Sequence, residues 1–224
     1  MSEAAKPEPG EEEWVRQQVI DTALAMNRER LSLGTSGNVS ARWGEGMLIT
    51  PTGMAYEDLL PEDVAFVGSD GVSAKGARKP SSEWPFHLTA YVARPEAGAV
   101  VHCHSLNATA LACAHRSIPP FHYMVAVAGG SDIPLARYAT FGSDELAINV
   151  GEALADRKAC LMANHGQIAC GGTLDEALEL AMQVEELAAQ YIRTMEAGTP
   201  QILGSEEMAR VIEKFSKYGQ QDGG

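Results

Sequence analysis

The stretch AVVHCHS, residues 99–105, is a short apolar run of strand character that carries His102 and His104 with Cys103 between them. Residues i and i+2 of a strand point to the same face, so the two imidazoles share one side and Cys103 faces the other. The run 97–104 therefore reads as a buried strand that presents two potential metal ligands. A strand needs partners, and the flanking segments supply them. GTSGNVSARWGEGMLITPTG (34–53) reads as a loop, a strand, a glycine-containing turn and a second strand, the pattern of a hairpin. DVAFVGSDGV (63–72) adds a strand and a tight turn, and ACLMANHG (159–166) and QIACGG (167–172) add two strands more.

Helical spacing fills the intervals. EEWVRQQVIDTALAMNRERL (12–31) predicts a first helix. SSEWPFHLTAYVARP (81–95) predicts a second, with Ser81 or Ser82 as N-cap and Pro85 tolerated in the first turn. SLNATALACAHR (105–116) and Ser143–Ala155 give two further helices. The clearest spans 173–198 and opens on a capping box, Thr173 with Glu176. A last short helix lies in SEEMARVIEKFSKYG (205–219). Residues 1–11 are acidic and contain proline, and 219–224 are rich in glycine and glutamine; both read as disordered tails around one domain, 12–218. With no internal repeat and no linker, the expectation is a single α/β domain whose central, mainly antiparallel β-sheet is covered by helices.

The 224 residues are 45% apolar and 21% charged, with a mean hydropathy of −0.13, as in ordinary globular proteins. No segment offers eighteen consecutive apolar residues, and the acidic start MSEAAKPEPGEEEW has neither a basic nor an apolar leader region. The expectation is a cytoplasmic protein without a membrane span. A net charge of −13 argues against nucleic acid or an anionic membrane as partner, because both need a basic footprint. An anionic ligand must then be small and held by local donors. Cys103, Cys113, Cys160 and Cys170 lie in apolar runs without CxxC spacing, and read as reduced, buried thiols.

His165, in MANHGQIACGG, is the best third ligand; it lies between two strand segments, where Gly166 is expected to let the backbone turn sharply. A His-x-His pair, one distant histidine and an open position make the donor set of a catalytic zinc site. His-x-His also occurs without metal, so a core strand with two incidental histidines is the competing reading. His87 reads as a mid-helix residue, His115 as a helix end whose charge suits the dipole, and His122 as a residue that follows a Pro-Pro loop. Glu83, beside Trp84, Pro85 and Phe86, reads either as an acidic first-turn residue or as a general base whose pKa apolar neighbours raise. GTSGNVS (34–40), TPTG (50–53) and PSS (80–82) offer hydroxyls and backbone N–H groups suited to a phosphate, and none matches a nucleotide-binding fingerprint.

The set GTSGNVSAR, ITPTG, KPSSEWPFH, AVVHCHS, HYMVAVAGG, YATFG and NHGQIACG resembles, in order and spacing, the class II aldolase/adducin family, from about Glu12 to Tyr218. The resemblance implies that His102, His104 and His165 hold one Zn2+ per subunit and that Glu83 is the acid/base carboxylate. It further implies that Asn38, Thr52, Gly53, Ser81 and Ser82 bind the substrate phosphate. Tyr123 matches a tyrosine delivered across a subunit interface, and Tyr218 a tyrosine of a tail that covers the site. Members are homotetramers with sites between neighbours. The chain departs from the pattern at Asn164, where the fuculose branch of the family has a second histidine.

The implied reaction is reversible cleavage of a ketose 1-phosphate, L-fuculose 1-phosphate first among candidates, to dihydroxyacetone phosphate and L-lactaldehyde through a metal-stabilised enediolate. The residues agree: Lys6, Lys75, Lys79, Lys158, Lys214 and Lys217 lie in polar or segment-end settings, which disfavours a Schiff-base lysine and favours a metal Lewis acid. Rhamnulose, ribulose or deoxypentulose phosphates are alternative substrates. A pentulose-phosphate 4-epimerase shares the scaffold but is implied to carry aspartate at position 83. A methylthioribulose-1-phosphate dehydratase would use the same zinc and glutamate. A non-catalytic adducin-like module has no need of three histidines and Glu83 together.

Overall fold

The structure is a computed structural model that describes residues 10–73 and 76–217. Seven strands form one sheet: β1 (Asn38–Trp43), β2 (Gly46–Ile49), β3 (Ala65–Gly68), β4 (Ala99–Cys103), β5 (Leu135–Ala136), β6 (Ala159–Met162) and β7 (Gly166–Gly171). Their order is β3-β2-β1-β4-β7-β6-β5, so the strand of AVVHCHS is central. Every pairing is antiparallel except β5 with β6. The expected single α/β domain with a mainly antiparallel sheet is what is found.

The described residues form six α-helices, α1 (Glu11–Arg28), α2 (Trp84–Ala93), α3 (Leu106–Cys113), α4 (Asp144–Leu154), α5 (Leu174–Ala197) and α6 (Ser205–Lys217); the first five pack on the sheet, and α6 packs against the 3-10 turn at Tyr123–Ala128. α1 therefore starts inside the stretch expected to be a tail. Short 3-10 turns at Tyr56–Asp58, Pro61–Asp63 and Tyr123–Ala128 have no counterpart in the sequence expectations; their lengths fall below what helical periodicity can reveal. α5 buries Ala177, Leu180, Ala181, Val184, Leu187, Ala188 and Tyr191, an i, i+3, i+4, i+7 stripe. Its Thr173 cap accepts from the Glu176 N–H at 3.2 Å, but the Glu176 carboxylate takes the N–H of Gly172 rather than that of Thr173, one residue before the expected capping box.

The sheet is buried on both faces, which is why β4 and β6 read as unbroken apolar runs. Ala99, Val101 and Cys103 of β4 join one core beneath α1, α3 and α5, whereas Val100 joins the other, with residues of α2 and α4. His102 sits on the α2 side, edge-on to Phe86 with ring centroids 5.1 Å apart. The strand periodicity thus separates Cys103 from the histidines, as expected. Cys103, Cys160 and Cys170 are buried free thiols, but Cys113, at the last turn of α3, is exposed, contrary to the expectation for all four.

Candidate metal centre and active-site cleft

His102 is the fourth residue of β4, His104 lies one residue past its end, and His165 lies in the turn joining β6 to β7. β4 and β7 are hydrogen-bonded neighbours, so the turn falls beside the end of β4. The three rings stand edge to face with centroids 4.8–4.9 Å apart. Their ligand atoms lie within 4.8 Å of one another. His102 Nδ1 bonds the Gln167 carbonyl at 2.8 Å, so it carries the proton and its Nε2 lone pair faces the other rings. Burial keeps His102 well below its ordinary pKa, hence neutral.

His102 Nε2 and His104 Nε2 are 3.1 Å apart. Imidazoles around a tetrahedral zinc at about 2.0–2.1 Å have nitrogens roughly 3.3 Å from each other, so the His102–His104 pair stands close to that spacing and the three donors could converge on a divalent metal. Among the described residues it is the one such cluster of metal-ligating side chains.

Glu83 closes the triangle. Its Oε1 is 3.0 Å from His165 Nε2 and its Oε2 is 3.3 Å from His102 Nε2. Asn38 Nδ2 donates to Oε2 at 2.8 Å. Glu83 occupies the N-cap position of α2 with no side-chain cap bond, so neither Ser81 nor Ser82 caps the helix as expected. The Ser81 hydroxyl instead accepts the Glu83 N–H, and its carbonyl the Trp84 N–H, closing a turn that aims the carboxylate inward. The expected rise in the Glu83 pKa is also corrected. Burial does push it up, but His165 and the Asn38 N–H, which hydrogen-bond the carboxylate, offset that and hold it below the ordinary carboxylate value.

Beside this group lies a cleft of about 330 Å³ lined by Thr35–Asn38, Pro51–Gly53, Ser81–Glu83, His104, Tyr138–Ala139, Phe141 and Asn164–His165. Backbone pairing assembles it: Thr52 N bonds Lys79 O and Ser81 N bonds Thr50 O, both at 3.0 Å. The structure therefore brings Asn38, Thr52, Gly53, Ser81 and Ser82 together around one space, as the three loop clusters predict. Arg78, bonded to Asp63 at 2.7 Å, ties down the loop entering Ser81. None of the described lysines lines the cleft.

Three further features escape the sequence. Tyr138 and Phe141 stand at the cleft 57% and 67% exposed, an apolar wall unusual for isolated surface residues. Asn164 and His115 both adopt left-handed backbone, φ 53° and 52°, and bond each other at 2.6 Å. The sharp turn before His165 is thus made by Asn164 and not by Gly166. Gly166 is needed for close approach, since a Cβ there would lie 2.4 Å from the Cys103 carbonyl oxygen and 2.9 Å from His104. The other two histidines lie where the sequence places them: His115 closes the C-terminal end of α3, and His122, after the Pro-Pro loop, caps the 3-10 turn that carries Tyr123.

Tyr123 is not brought to the cleft within one chain. It is half exposed on a separate groove of about 670 Å³ bordered by α6, its ring 6.5 Å from that of Phe215. Tyr218 lies outside the described residues.

With the geometry in place, comparison decides the family. Residues 17–192 match the model of the class II aldolase and adducin N-terminal domain. The chain belongs to this family. It is 51% identical over 211 residues to 5-methylthioribulose-1-phosphate/5-deoxyribulose-1-phosphate aldolase of Rhodospirillum rubrum, covering 94% of this chain and 95% of that one. It is also 51% identical over 203 residues to L-fuculose phosphate aldolase of Escherichia coli, covering 90% and 94%. A solved L-fuculose 1-phosphate aldolase superposes with a TM-score of 0.86 at 38% identity, covering 90% and 96%. As a class II aldolase the chain is an enzyme, a lyase. The reading as a non-catalytic adducin-like module is set aside. No described helix is long and apolar enough to cross a membrane.

Proposed function

We propose that the protein is a cytoplasmic, zinc-dependent aldolase that reversibly cleaves L-fuculose 1-phosphate to dihydroxyacetone phosphate and L-lactaldehyde. The observation that carries the reading is the convergence of three imidazoles and Glu83 at one end of a cleft lined by hydroxyls and backbone amides. A metal on His102, His104 and His165 supplies, when bound, the Lewis acid that stabilises the charge left as a carbon–carbon bond beside a ketone breaks.

The chain's own groups do the rest. Asn38, Thr52, Gly53, Ser81 and Ser82 take the phosphate through neutral donors, which suits a chain of net charge −13 binding a small anion. In cleavage the aldehyde-side hydroxyl gives up its proton to solvent by way of Tyr123, the bond breaks toward the three-carbon half, and that carbon takes a proton that Glu83 has first picked up from solvent. Glu83, ionised and held by Asn38, exchanges the proton at this carbon. Tyr123 polarises the aldehyde-side oxygen in the cleft of a neighbouring copy, and Tyr218 covers the site. This makes the working form a homotetramer with sites between subunits.

A second substrate reading rests on the Rhodospirillum relative, named for 5-methylthioribulose and 5-deoxyribulose 1-phosphates. Tyr138 and Phe141 suit the apolar end of either substrate, a methyl or a methylthio group. The test of the mechanism is proton exchange between dihydroxyacetone phosphate and heavy water. The E83Q variant is expected to bind metal and lose exchange by at least about 100-fold, in the range of a lost general base; exchange at the wild-type rate would refute the role.

A further inference from the structure

Three residues four apart, Glu83, His87 and Tyr91, lie on one stripe running from the N-cap of α2 along its length, and two residues two apart, Asn38 and Ser40, lie on one face of β1. The two sets interlock through the interior. Tyr91 OH is 2.9 Å from Ser40 Oγ, Ser40 Oγ is 2.7 Å from His87 Nδ1, and His87 Nε2 is 2.5 Å from Asn38 Oδ1. Asn38 Nδ2 then reaches Glu83 at 2.8 Å. Ser40 and His87 are fully buried, and Tyr91 and Asn38 nearly so. Arg42, next on the same face of β1, lies over the Tyr91 ring at 4.6 Å and donates to the Tyr91 carbonyl, fixing the far end.

The chain has one consistent direction. A carboxylate only accepts, so Asn38 must turn its NH2 to Glu83 and its carbonyl to His87. His87 must then donate from Nε2, which leaves Nδ1 as an acceptor for the Ser40 hydroxyl, and Ser40 in turn accepts from Tyr91. Burial holds the His87 ring neutral, with its pKa down at about 3, so it offers one donor and one acceptor. Were the tautomer reversed, His87 Nε2 and the Asn38 carbonyl would face each other as two acceptors. Asn38 would be free to turn its oxygen toward the carboxylate.

We infer that His87 is a positioning residue that, oriented by Ser40 and Tyr91, locks the Asn38 amide with its N–H toward Glu83. The inference rests on the reading of Glu83 as the proton-exchanging group, and it adds residues that do not touch the cleft.

The test joins a spectrum to kinetics. Nitrogen-15 spectra of the histidine-labelled, zinc-loaded protein are expected to show His87 protonated at Nε2 and bare at Nδ1. The H87L variant is expected to keep its metal while the cleavage rate constant falls about 10- to 100-fold, the usual cost of losing such a supporting bond. H87Q, whose amide N–H reaches the same Asn38 oxygen, is expected to recover most of that loss. A proton on Nδ1, an undiminished rate in H87L, or an H87Q as slow as H87L would overturn the role. Should H87L fail to fold, S40A carries the kinetic test, with a lowered rate constant expected and a wild-type rate contradicting the role. The spectrum needs no turnover, so a protein that cleaves no sugar phosphate would sink the functional reading while the tautomer still decides the relay.

Discussion

Two of the histidines that matter most are fully buried, His87 and His102, and both are held neutral by burial. For His87 the folded pKa of about 3 lies below the unfolded value, so the unfolded chain binds more protons between the two. Its contribution to stability is whole above the ordinary histidine range and is lost as pH falls through the window from about 6.5 to about 3. Denaturant titrations at a series of pH values, with chelator present so that metal loss plays no part, should show the unfolding free energy declining from pH 6.5 downward. A flat profile across that window would mean that the ring is protonated or exposed in the folded protein. The histidine pair of the candidate metal centre is legible in the sequence because strand alternation alone puts His102 and His104 on one side. His87 is not, because its partners Asn38 and Ser40 are 49 and 47 residues away and its helix stripe has meaning only once β1 is placed beside it. The lowered pKa of Glu83 escapes the sequence for a related reason. Its local sequence shows Trp84, Pro85 and Phe86, while the groups that dominate its charge come from β1 and the turn before β7.

Among the elements, the β4–β7 pair decides whether three distant imidazoles become one site. Cys103 pairs with Gln167, and Gln167 also accepts from His102 through its carbonyl. Gly166, at the first position of β7, lets that strand approach closely. In G166A the new methyl group would sit 2.4 Å from the Cys103 carbonyl, which is backbone and cannot swing aside. The strands must part at the metal ligands, at a cost of about 1–3 kcal/mol typical of overpacking. The expected result is a lowered unfolding midpoint together with weakened zinc retention under chelator; a variant matching the wild type in both would show that the close approach is not needed. Strands, helices and their antiparallel arrangement were readable because hydrophobic periodicity and glycine-marked turns carry them. The turn before β7 was not, since it depends on Asn164 in a left-handed conformation, braced by His115 from the end of α3. The false N-cap at Ser81 or Ser82 has the same origin: the serine hydroxyl closes a tighter turn so that Glu83 is free to face the histidines.

Over the whole molecule, a chain of net charge −13 has a cleft lined mainly by neutral hydroxyls and amides beside the histidine cluster, which suits the small phosphorylated substrate proposed above. The exposed groove holding Tyr123 beside α6 gives the same chain a second face, where the proposed tetramer would supply the missing tyrosine to a neighbour. The claim on which the account rests is that the three-histidine cluster drives carbon–carbon cleavage through a bound metal. The direct measurement is a coupled assay of aldol cleavage on L-fuculose 1-phosphate, with 5-deoxyribulose 1-phosphate in parallel, before chelation, after chelation and after zinc is returned. Cleavage is expected to disappear with chelator and to return with zinc, whichever of the two sugars is preferred. Metal bound at the cluster with neither sugar cleaved, or cleavage that survives complete metal removal, would contradict it.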